Sequence, residues 1–157
     1  MSSSGADWES ILHLAMTLAR DAGAELQRRF GRQVLVTLKD ELNPVTDADQ
    51  AAETLIRQGI QTYFPGHAIQ GEEQGETTPE GPLRWIVDPL DGTVNYAHTF
   101  PHFAVSIAVA DAHGVHVGVV YDPIRDELFT ARRGQPAWLN GRRLTVSHTD
   151  ELEQALL

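Results

Sequence analysis

The stretch Trp85-Ile86-Val87-Asp88-Pro89-Leu90-Asp91-Gly92-Thr93 decides how this chain is read. An apolar run heads into an interior and stops at a carboxylate. Three residues later a second carboxylate follows, then a glycine and a hydroxyl. That order delivers charge to the end of a strand and opens a helix beside it. Oxygen ligands from the two acids suit a hard cation such as Mg²⁺, and open amides at a helix start suit a phosphate. Pro89 fixes the backbone between the acids so that both can face one point, while Gly92 lets an anion approach the main chain closely. Taken alone, Pro-Leu-Asp-Gly also reads as an ordinary turn, with Asp88 merely ending a strand.

Upstream, apolar residues at Trp8, Ile11, Leu12, Ala15, Leu18, Ala19, Ala22, Leu26 and Phe30 are spaced by threes and fours. They predict an amphipathic helix over 7–30, with Asp7 as N-cap and Gly31 just past its end. Residues 34–38 alternate and are β-branched, which predicts a strand ending at Lys39. Asn43-Pro44 breaks the chain, and a second helix is expected from Thr46 to about Tyr63, stopped by Pro65-Gly66. Thr46-x-x-Asp49 fits a capping box, which by itself accounts for both residue types. A brief strand at Ala68-Ile69-Gln70 runs into a loop carrying Glu72 and Glu73. Two glutamates there are either solvated or placed as ligands at a strand end.

Downstream, strands are expected at 103–110, 115–121, 127–131, 137–139 and 144–146, the last two joined by an Asn140-Gly141 hairpin turn. Connections this short imply antiparallel neighbours. The fold class is therefore α+β: two helices packed on a mainly antiparallel sheet.

Twelve basic against twenty-two acidic residues leave a net charge of −10 in 157 residues, which repels nucleic acid and anionic membranes. The late arginines, Arg125, Arg132, Arg133, Arg142 and Arg143, sit at turn-rich spacing and read as solvated hairpin ends. No cysteine is present, so disulfides, thiolate metal sites and thiol nucleophiles are excluded, in keeping with a cytoplasmic location. Residues 1–6 have no signal-peptide pattern and read as a disordered lead-in.

Residues 85–93, together with Asn95, His98, Phe100 and Pro101, closely resemble the signature of the inositol monophosphatase family, Mg²⁺-dependent and lithium-sensitive sugar phosphatases. The likeness extends through Val45-Thr46 to Asp49, Gly71-Glu72-Glu73, the run 118–123, Asn140-Gly141 and the terminal Ala155-Leu156-Leu157. The resemblance implies that Glu72, Asp88 and the Leu90 carbonyl bind a first metal and that Asp88 and Asp91 bind a second, within a set of two or three Mg²⁺ ions. It implies that Thr93 with Asp49 orients the attacking water, and that the Gly92 and Thr93 amides hold the phosphate. Lys39 and Glu73 match the family less closely and are further candidates. His98 and His102 are expected to make structural hydrogen bonds, since Mg²⁺ prefers oxygen.

The implied substrate is a small phosphorylated sugar, polyol or nucleotide, and the implied assembly is a homodimer without nucleic-acid or membrane partners. Residues 7–147 are expected to form the metal-binding domain, and 148–157 to begin a second domain that family members use to close the metal site. A different class of function, a non-catalytic metal-binding or self-associating module, stays open at this point. The haloacid-dehalogenase-like phosphatases space their two acids by two residues rather than three, and their parallel sheet disagrees with the hairpins downstream.

Overall fold

The computed structural model describes residues 7–31, 44–77, 81–151 and 153 and, for 36–38, the backbone; of 44–46 too only the backbone is described. Lys39 lies outside the described residues, as do 1–6 and most of the terminal segment from 152 onward.

Helix α1 spans Trp8–Arg29. Asp7 caps it, its carboxylate accepting from the Ser10 amide at 3.1 Å, and Gly31 follows its end at φ 73°. Its buried stripe of Ile11, Ala15, Leu18, Ala19, Ala22 and Leu26 is the one the periodicity predicts. Strands β1 (Val36–Leu38) and β2 (Pro44–Thr46) form a separate antiparallel pair that leads into α2, Asp47–Tyr63. α2 buries Ala48, Ala52, Ile56 and Ile60. Small alanines on both stripes let the two helices pack closely on each other.

The remaining strands are β3 (Ala68–Gly71), β4 (Gly75–Glu76), β5 (Arg84–Asp91), β6 (Ala104–Asp111), β7 (Gly114–Asp122), β8 (Glu127–Arg132), β9 (Trp138–Leu139) and β10 (Arg142–Arg143). They form one eight-stranded sheet in the order β10-β9-β8-β7-β6-β5-β3-β4. A short helix, α3 (Thr93–Ala97), follows β5 directly. Alternation along β5, β6 and β7 buries Trp85, Val87, Val105, Ile107, Val109, Val117 and Val119. α1 and α2 pack on the sheet, and that shared core is the interior. On other positions Ile86, Val120 and Trp138 stay 38–40% exposed.

Three details depart from the sequence expectations. β3 pairs with β5 in parallel, because the chain between them passes through the β4 hairpin before returning. Gly75 and Glu76, which read as loop in the sequence, form the two-residue strand β4. The last strand is Arg142–Arg143, not 144–146: Asn140 and Gly141 both take positive φ (48° and 77°), as a two-residue I′ turn requires, so pairing resumes at once with Arg142 opposite Leu139.

Glu25 ties the end of α1 together, bonding Arg28 and Arg29 at 2.6 Å each, while Arg29 reaches Asp47 of α2 at 3.1 Å. Hydrogen bonding from Arg28, helped by Arg29, holds the Glu25 carboxyl down at about 2, against its partial burial. A depressed folded-state value means the contribution is present above the ordinary value of 4.5 and lost as pH falls through about 2. Glu25→Gln is therefore expected to lower Tm at neutral pH, and the gap from the parent should close as thermal scans approach pH 2. A gap that stays constant with pH would contradict this.

Candidate functional site

The acids of the opening stretch are brought to one point by a break in strand pairing. Asp88 pairs with Ser106 and Asp91 with Ala104, so three steps along β5 match two along β6. This is a bulge of one residue, at the place where Pro89 has no amide to give the ladder. In a regular strand, residues three apart face opposite sides. The extra residue removes one alternation, and Asp88 and Asp91 line the same cavity.

Glu72 arrives from the neighbouring strand. The parallel register sets Gly71 against Val87, which brings the next residue, Glu72, beside Asp88. A cavity of about 280 Å³ is lined by Glu72, Asp88, Leu90, Asp91, Gly92 and Thr93, with Val94 and Asn95 at its side. Burial pushes the Asp88 carboxyl up to about 6, and the nearby charges of Glu72 and Asp91 push it the same way. The Leu90 amide donates to Asp88 Oδ1 at 3.2 Å, and the Thr93 hydroxyl donates to the Leu90 carbonyl at 3.0 Å.

Gly92 begins α3 with φ 96° and ψ 34°, a left-handed conformation. A Cβ here would lie 3.1 Å from the His102 carbonyl oxygen and 3.4 Å from Phe103 Cα. The turn is anchored from behind. Tyr96, 1% exposed, donates its hydroxyl to the Leu26 carbonyl at 2.8 Å, and Asn95 Nδ2 donates to His102 O at 2.8 Å. Tyr96→Phe keeps the packing but leaves the Leu26 carbonyl without that donor. It is expected to cost about 1 kcal/mol in urea unfolding, and no change at all would show that the anchor is idle.

Of the other sequence candidates, Asp49 is buried (1% exposed) in the first turn of α2 and is not among the residues lining this cavity. Glu73 is half-buried behind the turn, its amide donating to Glu53. His102 shares a 2.9 Å contact with Arg125, which in turn bonds Asp122 at 2.6 Å; the His98 side chain is exposed.

Sequence reasoning missed Glu53 and Arg57. Both are buried (0% and 6% exposed) and joined at 2.7 Å, and they grip the backbone of the turn that carries Glu72. On a helix, Glu followed four residues later by Arg usually marks a solvated face. Gly71 lies against the pair: a Cβ there would fall within the Glu53 carboxylate.

The donor chemistry fits a hard divalent cation. Glu72, Asp88, Asp91, Thr93 and the Leu90 carbonyl all bring oxygen to the cavity, and burial first, then the charges of Glu72 and Asp91, make the Asp88 carboxylate one that a cation would relieve. Among the described residues, no three His, Asp or Glu side chains are already closed into a metal-holding group, so a cation would have to draw the carboxylates together. Also among the described residues, no helix is long and apolar enough to cross a membrane.

A sequence profile of the inositol monophosphatase family matches residues 7–157. "Nus factor SuhB" of Pseudomonas aeruginosa is 46% identical over 154 residues, which cover 95% of this chain and 57% of that protein. "Inositol monophosphatase 1" of Solanum lycopersicum is 41% identical, over 95% of this chain and 56% of the relative. The crystal structure of the extragenic suppressor protein suhB from Bartonella henselae superimposes with a TM-score of 0.87 at 40% identity, covering 89% of this chain and 55% of that one. The chain thus spans a little more than half the length of the relatives it matches.

Proposed function

The chain belongs to the inositol monophosphatase family, and from that membership we propose that it carries the metal and phosphate site of a phosphomonoester hydrolase acting on a small phosphorylated sugar, polyol or nucleotide. The observation that carries this reading is the convergence of Glu72, Asp88 and Asp91 on one cavity beside the Gly92–Thr93 backbone. Two or three Mg²⁺ ions bound there would neutralise phosphoryl oxygens and acidify a water.

Glu72, Asp88 and the Leu90 carbonyl would hold one ion, and Asp88 with Asp91 would hold another. The Leu90 carbonyl accepts from Thr93 but keeps a second lone pair. The Thr93 hydroxyl, with its own lone pairs available, would orient a water for direct attack on phosphorus, with no covalent enzyme intermediate, and Asp49, which lies buried outside the cavity lining, is proposed as its partner in that role. The amides of Gly92 and Thr93 hold the phosphate, with Glu73 a further candidate metal ligand and Lys39 a further candidate by its match to the family. On the same reading, residues 7–147 are the metal-binding domain of a cytoplasmic homodimer.

The test is phosphate release from inositol monophosphate, fructose bisphosphate and nucleotide 3′-phosphates by the purified protein. Release is expected with Mg²⁺, to be blocked by lithium, and to vanish in EDTA. Equal release in EDTA would overturn the assignment.

A second reading, that the chain also serves as a self-associating module, is favoured by the apolar positions Ile86, Val120 and Trp138 left open on the sheet. On this reading the partner is a second copy of the chain. Sedimentation that gives a monomer for both the parent and Val120→Glu would dismiss it; a dimer lost in the variant would support it.

A further inference from the structure

We propose that the buried Glu53–Arg57 pair of α2 is a positioning device for Glu72, fixing the turn that presents this carboxylate to the metal site. The proposal rests on the metal-site reading above and deepens it.

Glu53, Arg57 and Asp49 recur every four residues along α2 and so share one face of the helix. The Glu53 carboxylate accepts three donors. Arg57 Nε lies at 2.7 Å and the Gln74 amide at 3.0 Å, both on Oε1, and the Glu73 amide lies at 2.7 Å on Oε2. Arg57 Nη2 then donates to the carbonyl of Gly75. Two successive amides and a carbonyl, all immediately after Glu72, are therefore held by one ion pair. Gln74 adds a fourth tie, from its side chain to Thr54 Oγ1 at 2.9 Å. Glycine at position 71 is what lets the turn come this close, because any Cβ would displace the Glu53 carboxylate.

A buried pair of this kind is weak evidence for stability, since desolvation offsets most of its attraction. Its geometry points elsewhere. Neither member faces the cavity, yet together they satisfy the backbone of the one loop that supplies a carboxylate to it. Glu72 is itself exposed and shares the cavity with Asp88 and Asp91, two carboxylates of its own sign. Something must hold the turn in place against that repulsion before a cation arrives, and the pair does so through the backbone. Partners that orient a metal ligand in this way commonly change metal affinity by about 10–100-fold when removed.

Two measurements test the assignment, with Mn²⁺ as the probe. In the metal-free parent, hydrogen exchange followed by NMR should find the Glu73 and Gln74 amides strongly protected although they lie in a surface turn. Exchange at the rate of an unstructured loop would overturn the proposal. In the second, Mn²⁺ is titrated by electron paramagnetic resonance into the parent and into Glu53→Gln, whose amide nitrogen would oppose a donor where a carboxylate oxygen accepted one. Affinity should fall about tenfold, with faster exchange at both amides and unchanged protection in the core strands. Equal affinity in a folded Glu53→Gln would overturn the positioning role alone. A parent that binds no Mn²⁺ would overturn the metal-site reading and this proposal with it. Should Glu53→Gln fail to fold, the exchange measurement on the parent decides.

Discussion

Asp88→Asn is expected to reduce Mg²⁺-dependent phosphate release about a thousandfold or more while making the metal-free chain more stable. The loss follows from the number of contacts Asp88 makes on the proposed reading, in which it alone serves both metal positions. Charge stabilisation by a bound cation is worth several kcal/mol, and each ~1.4 kcal/mol is a factor of ten in rate.

The gain in stability follows from the structure without metal. Asp88 is half-buried, flanked by Glu72 and Asp91, and burial together with those charges raises its carboxyl to about 6. At neutral pH the folded chain therefore carries a charge that its surroundings disfavour. Asparagine keeps an oxygen for the Leu90 amide that Asp88 now accepts, and it replaces repulsion of Glu72 with a donor. In EDTA the variant should melt a few degrees above the parent. In saturating Mg²⁺ the order should reverse, because ligand binding to the folded state stabilises only the chain that binds. Differential scanning calorimetry under the two conditions reads both halves. A variant less stable than the parent in EDTA, or one that keeps the parent's turnover, would remove Asp88 from the centre of the site.

The same stretch shows how far the sequence could be read. The helix stripes, the strand alternation and the Asn140-Gly141 turn are local patterns, and local patterns set local structure. They carried α1, α2 and most of the strands to within a residue or two. Which strand lies beside β5 was not legible, because the parallel pairing with β3 depends on a hairpin only four residues wide that has no periodicity of its own. Asp88 and Asp91 could be chosen as a pair from residue type and order. That they share a face depends on a bulge, and only Pro89 within a strand hinted at it. Glu53 and Arg57 were invisible for a different reason. Their burial is made by the turn folded over them, and nothing in an i, i+4 pair announces a backbone partner some twenty residues away.

Gly92→Val should separate the phosphate from the metal. Gly92 has φ 96°, a region a β-branched residue does not enter without strain. Its added Cβ would press on two main-chain atoms, His102 O and Phe103 Cα, that cannot rotate out of the way as a side chain could. The start of α3 must shift, and the amides of Gly92 and Thr93 shift with it. Losing one aligned donor to an anion that develops charge typically costs about 10²-fold in turnover. Here kcat/KM should fall by that order and inhibition by inorganic phosphate should weaken in parallel. Mn²⁺ affinity should hold, because Asp88 and Asp91 sit on β5 and Glu72 on the turn after β3, all upstream of the displaced backbone. Calorimetric titration with Mn²⁺ and phosphate-inhibition kinetics on one preparation give the comparison. If Mn²⁺ and phosphate binding fall together, the glycine supports the carboxylates and the amide cradle is the wrong account of it. If phosphate inhibition is unchanged, the anion binds elsewhere in the cavity, and Gly92 is there only to let the chain pass beneath His102.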